Sequence, residues 1–146
     1  MFLVSSADGG RTFDLPHKLG RGTWTLKACP MDGGGFAADA AGTVQTIWRR
    51  GQTIYRCTDG QAEVRLGTGE QGRAALGRDG VWYTWLTRRP GPLMLLAPGA
   101  AEPTQLADQA SDPAIAGSPD GHGPVVIAWE EPGAADGPIR VKTLSP

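Results

Sequence analysis

Ser6-Ala7-Asp8-Gly9-Gly10-Arg11-Thr12-Phe13, near the start of a chain of 146 residues, spells S-x-D-x-G-x-T-F. The order is that of a hairpin tip. Ser6 and Asp8 are turn formers whose short side chains hydrogen-bond nearby backbone. Gly9 and Gly10 accept the positive φ of a tight turn without steric cost. Thr12 and Phe13 are strand formers. The segment therefore predicts a strand restarting at Thr12, with Phe13 plugged into a core.

The turn signal repeats. Asp-Gly pairs begin at residues 8, 32, 59, 79, 120 and 136, and Asp-Gly between apolar stretches is a strong hairpin signal. Three stretches share one layout, a short apolar strand, a turn, and a β-rich strand ending at Trp. The first runs from Gly35 through the 39–42 turn to Trp48. The second runs from Ala74 through Asp79-Gly80 to Trp85, and the third from Asp112 through Asp120-Gly121 to Trp129. The three Trp are 37 and 44 residues apart. A period near 40 built of short strands is the spacing of propeller blades with four strands each. Further strands are expected at 54–57, 62–66, 93–96, 104–107 and 138–144, and no segment shows a helical period.

Composition agrees with an all-β globular chain and excludes several classes. At 40% hydrophobic and 20% charged residues the chain is no disordered tail, and a domain of this length buries roughly 70% of its unfolded surface. Net charge is −1, from 14 basic and 15 acidic residues, so neither nucleic acid nor an anionic membrane is an expected partner. No apolar run approaches the length of a transmembrane helix. Met1-Phe2-Leu3-Val4 lacks the basic flank of a signal peptide.

The S-x-D-x-G-x-T-F octet, with Ser6, Asp8, Gly10, Thr12 and Phe13 at its defined positions, resembles the Asp-box of the sialidase-type β-propellers, also called BNR-repeat proteins. A second copy, in which Cys57, Asp59, Gly60 and Val64 fall on Ser6, Asp8, Gly9 and Phe13, reads as a decayed box. The resemblance implies a ring of six blades, with the box a structural hairpin at the blade periphery rather than a site. About thirteen strands are legible: an outer half-blade at 1–20, blades at 35–67 and 73–107, and an incomplete blade at 113–146. That is about three and a quarter four-stranded blades. The expectation is an incomplete propeller, completed by a missing N-terminal half or by a second copy of the chain. If the parent protein follows the family, it is exported.

Exo-sialidase chemistry imposes demands that can be checked. In the family, three arginines grip the substrate carboxylate, a Tyr assisted by Glu is the nucleophile, and an Asp is the acid/base. The Phe/Tyr-Arg-Ile-Pro motif that carries the first arginine is absent. The later elements have candidates in Arg49, Arg50, Arg56, Arg88 and Arg89, Tyr55 or Tyr83, and Glu130 or Glu131. Arg49-Arg50 and Arg88-Arg89 follow Trp48 and Trp85 at equivalent places, where they form a charged rim or a cationic mouth for an acidic ligand. Glu130-Glu131 follows Trp129 with the sign reversed. Asp32, in the linker after Trp24, is a candidate to face the same cleft. The expected function is a non-catalytic module that binds carbohydrate or serves as a scaffold. The rival is the C-terminal half of an exo-sialidase-type hydrolase.

The remaining motifs are weak. Gly67-Thr68-Gly69-Glu70-Gln71-Gly72 matches G-x-G-x-x-G, but the residues after it lead to another Asp-Gly turn and not to a helix. It reads as a turn between blades, and no cofactor is expected. Cys29 and Cys57, with His17 and His122, make no metal-ligand spacing. The two cysteines are either a disulfide or two free thiols. Trp48, Trp85 and Trp129 are expected to anchor blade cores.

Overall fold

In a computed structural model of the protein, residues 1–26, 33–118, 120–133 and 137–144 are described. Among them there is no helix, and twelve strands follow in order. These are β1 (Phe2–Leu3), β2 (His17–Lys18), β3 (Gly34–Ala38), β4 (Val44–Arg50), β5 (Thr53–Thr58), β6 (Val64–Thr68), β7 (Glu70–Gly77), β8 (Gly80–Leu86), β9 (Gly91–Leu96), β10 (Thr104–Ala116), β11 (Val125–Glu130) and β12 (Ile139–Leu144). β1 and β2 pair as a hairpin, β3 to β6 form a four-stranded meander, and β7 to β12 form a six-stranded antiparallel sheet. The all-β expectation holds. The Gly of each Asp-Gly pair at 8, 59, 79 and 120 has positive φ, from 71° to 127°, as the turn reading requires.

Twelve strands appear where thirteen were legible because β10 runs unbroken across the expected boundary between 107 and 113. Its first half pairs with β9 and its second half with β11. At this change of partner the sheet curls into half a barrel. The curl brings β10 back against β7, so closely that a Cβ on Gly117 would lie 1.8 Å from the Leu76 carbonyl oxygen. Only glycine fits there.

One left-handed position recurs three times, twice within a bulge. Gln71 lies in a bulge between the pairs Glu70–Leu86 and Arg73–Thr84, and Asp112 in a bulge between Ser111–Glu130 and Ala114–Ala128. Both have left-handed backbones, φ 55° and 49°. Pairing of Gly35 with Ile47 places Gly33, φ 46°, at the corresponding position before β3. A bulge bends a strand and sharpens its twist. Here it marks where β7 and the second half of β10 each begin, whereas β3 starts after Gly33 in regular register.

Strand alternation then sorts the side chains into layers. Trp48 packs with Leu3, Leu19, Tyr55 and Cys57, on the side of the β1–β2 hairpin. Trp85 packs with Ile47 and Ile54 of the four-stranded sheet, and Val81, Tyr83 and Leu96 join them. Trp129 packs beside Val125, Ile127 and Leu144 against Trp82, Leu86, Leu93 and Leu95. Each Trp thus faces back toward the preceding layer, and all three anchor cores as expected.

The hairpin departs from expectation at Phe13. The second strand begins at His17 rather than Thr12, and Phe13 is 65% exposed at the tip. Among the described residues, none of the hydrophobic clusters includes Phe13, so its ring does not enter a core. The decayed copy at 57–64 departs as well. The Asp59 carboxylate turns away from its own loop and meets His17 Nε2 at 2.8 Å.

Candidate functional site

Antiparallel alternation puts the β4–β5, β8–β9 and β11–β12 connections at one end of the sheets, together with the three left-handed residues at the starts of β3, β7 and the second half of β10. Arg49-Arg50, Arg88-Arg89 and Glu130-Glu131 all fall there, as their recurrence after Trp implied. The opposite end carries the β3–β4, β5–β6, β7–β8, β9–β10 and β10–β11 connections.

The four arginines meet different surroundings. Arg50 is committed: its guanidinium makes bonds of 2.9 and 2.7 Å to the two Glu63 oxygens and lies 3.9 Å over the Tyr55 ring. The hydrogen bonds that Arg50 donates to Glu63 push the Arg50 pKa up, and they in turn hold the Glu63 carboxyl below the usual carboxylate range. Arg49 Nη1 donates to Glu70 at 3.2 Å, and its guanidinium stands 5.6 Å from the Trp24 ring. Arg89 pairs with Asp112, whose other oxygen accepts from Gln71 Nε2 at 2.7 Å. The two bulge residues are therefore tied to each other. Arg88 is exposed, and among the described residues no carboxylate pairs with it.

Two concavities open at this end. A groove of about 330 Å³ has Arg49 and Arg88 on its rim, with Gln52, Thr68, Glu70 and Thr87 between them. A larger cavity of about 430 Å³ lies beside the hairpin and is lined by Phe2, Lys18, Trp24, Gly34, Trp48 and Arg50. The Gly67–Gly72 segment contributes to the groove as the passage from β6 to β7, with no helix after it.

The tyrosine and glutamate candidates are not brought together. Tyr83 is buried, its hydroxyl 2.9 Å from Gln45 Oε1, and burial raises its pKa. Arg56 stands 5.8 Å from the Tyr83 ring. Tyr55 contacts both Arg50 and Trp48, the latter's ring centroid 6.2 Å away. Glu131 pairs with Arg140 on the neighbouring strand. Asp32 and Cys29 lie outside the described residues. Cys57 is a buried free thiol whose Sγ contacts the Thr58 and Gln61 carbonyls at 3.3 Å, and burial raises its pKa. Among the described residues no group of His, Cys, Asp and Glu could hold a metal ion.

The 5–14 loop is closed by its own side chains. Asp8 Oδ1 accepts from the Arg11 and Thr12 N–H groups at 2.9 Å each, Asp8 Oδ2 from the Thr12 hydroxyl at 2.7 Å, and Ser6 Oγ from the Gly10 N–H at 2.8 Å. Sequence reading missed a better echo than 57–64. Ser118 Oγ bonds Asp120 at 2.5 Å, as Ser6 bonds Asp8 at 2.8 Å, and Asp120 accepts from the His122 N–H at 3.0 Å. The shared S-x-D-G at 6–9 and 118–121 was the available signal. No family model, curated protein or solved structure matches the chain.

Proposed function

We propose that the chain is a non-catalytic module of a sialidase-like Asp-box β-propeller, incomplete at about three and a quarter blades, that binds an acidic carbohydrate at the groove between Arg49 and Arg88. The observation that carries this reading is the Arg88 guanidinium, exposed on the groove rim with no carboxylate partner among the described residues. A planar guanidinium recognises a carboxylate by paired hydrogen bonds, and Gln52, Thr68 and Thr87 supply polar groups for sugar hydroxyls beside it. The layered sheets, the recurring bulge and the self-closed 5–14 loop support the propeller part of the reading. The burial of Tyr83 and the Arg50 lid on Tyr55 support the non-catalytic part, since neither phenol stands open beside a carboxylate.

Calorimetric titration of the 146-residue chain with N-acetylneuraminic acid, with galactose as the neutral control, tests this. Binding of the acid alone is expected, weakened about tenfold by Arg88→Ala, a loss of about 1.4 kcal/mol, and weakened further by salt. Equal binding of both sugars, or of neither, rejects the acidic-ligand reading. Release of fluorophore from a fluorogenic sialoside rejects the non-catalytic one.

A further inference from the structure

The interface between the four-stranded sheet and β7–β9 is apolar around Trp85 and polar at the end opposite the Arg49–Arg88 groove. The chain itself shows that this polarity is not demanded by the layering. With the Trp of β4, β8 and β11 as common reference, Gln45, Arg56 and Tyr83 correspond to Trp82, Leu95 and Ile127 in the next interface. The match of Arg56 to Leu95 follows from pairing: Arg56 lies opposite Ile47 and Leu95 opposite Thr84, each the residue before a Trp. Trp82, Leu95 and Ile127 are buried in one apolar cluster. Gln45 and Arg56 instead line a cavity of about 300 Å³, bounded by the Asp79-Gly80 turn, Leu96 and the 97–100 turn. That is the small end of the range for ligand pockets.

The protein leaves the polar groups there incompletely satisfied. Tyr83 is buried, and its hydroxyl donates to Gln45 Oε1 at 2.9 Å. Arg56 hydrogen-bonds the same hydroxyl, and its charge opposes what burial does to the phenol. The direction Arg56 to Tyr83 to Gln45 orients the Gln45 amide, whose NH2 finds no acceptor among the described residues. Arg56 Nε is buried without a hydrogen-bond partner, and among the described residues no carboxylate pairs with this guanidinium. Buried donors without acceptors are costly and rare. Asp79 lines the same cavity, exposed at its turn and without an ion pair to Arg56. A cation and an amide donor thus stand on one side of a small cavity, and an open carboxylate stands on its rim.

We propose that this cavity is a second ligand site, which takes a small zwitterion of the size of a free amino acid. Its carboxylate is held by Arg56 and the Gln45 amide, and its ammonium group by Asp79. A guanidinium is suited to the first contact, and Asp79 disfavours a ligand that carries negative charge alone. The site lies at the other end of the sheets from the Arg49–Arg88 groove, and the two are independent.

NMR titration of the 146-residue chain tests it, read at the Arg56 Nε–H and at the Gly80 and Gly99 amides that border the cavity. L-alanine is expected to shift these signals saturably, acetate to bind about tenfold more weakly, and L-alaninamide, which lacks the carboxylate, to shift none of them. In Asp79→Asn the preference for L-alanine over acetate is expected to vanish, and Arg88→Ala should leave the titration unchanged. In Arg56→Leu neither ligand should shift Gly80 or Gly99. Because Leu95 holds that place in the next interface, this variant is expected to fold, as circular dichroism would show. Should it not fold, the ligand series on the wild type and Asp79→Asn decides. No saturable shift with L-alanine up to about 10 mM overturns the proposal. So does an equal response to L-alaninamide or to acetate, or binding retained in folded Arg56→Leu.

Discussion

At residue scale the clearest device is Asp8, an exposed carboxylate that accepts four hydrogen bonds within four residues of itself. The Thr12 backbone N–H is the leading cause of a pKa lowered from 3.8 to about 2. A carboxyl whose pKa is lower folded than unfolded stabilises the loop fully above the unfolded value and loses that contribution as pH falls through the folded one. The Arg11 and Thr12 amide protons are therefore expected to stay protected from exchange down to about pH 4 and to lose protection as pH falls toward 2. In Asp8→Ala they should be unprotected throughout, as amide NMR would show. The order Ser-x-Asp-x-Gly-x-Thr disclosed this loop because its bonds are local. The position of Phe13 was not legible, because whether a ring finds a core depends on layers distant in sequence. For the same reason the Asp59 carboxylate could not be followed to His17, 42 positions away.

At the scale of elements, the bulges that open β7 and the second half of β10 hold two side chains in a backbone conformation that glycine adopts more readily. In an ordinary strand Gly is less stable than Ala by about 0.5–1 kcal/mol. At Asp112, with φ 49°, the order should invert. Asp112→Ala is expected to be less stable than Asp112→Gly by about 1 kcal/mol, while both lose the bonds to Gln71 and Arg89. Urea denaturation of the pair measures the difference, and an Ala variant at least as stable as the Gly variant would contradict the strain. The strands themselves were largely legible, since period-two patterning between Asp-Gly turns falls on β3 to β9 within a few residues. The bulges were hidden: Gln71 carries no compositional mark of a left-handed residue, and only the pairing register reveals that it matches Asp112.

For the whole molecule, the cores between layers share strands, so the chain should unfold as one unit. Trp85 is almost completely buried between the four-stranded sheet and β7–β9. Trp85→Ala removes a side chain whose loss from a core typically costs about 3–5 kcal/mol, a large part of a stability of about 5–15 kcal/mol. Its thermal transition is expected well below the wild type's and still single, with near- and far-ultraviolet signals coincident. Two separated transitions would show that the layers melt independently. The charged rim was legible as a recurrence after each Trp, yet the sequence could not distinguish Arg50, clamped by Glu63, from Arg88, left open. That difference arises because β6 folds back beside β5.

The unbroken course of β10 also governs where this polypeptide can be cut, joined or enlarged. Residues 104–116 serve two neighbouring ladders at once, so a break or an inserted segment there would leave raw edges on both sides. The exposed turn at 99–102 ends one ladder without belonging to the next. A loop lengthened at that turn, by evolution or by an engineer grafting a peptide, leaves both ladders whole.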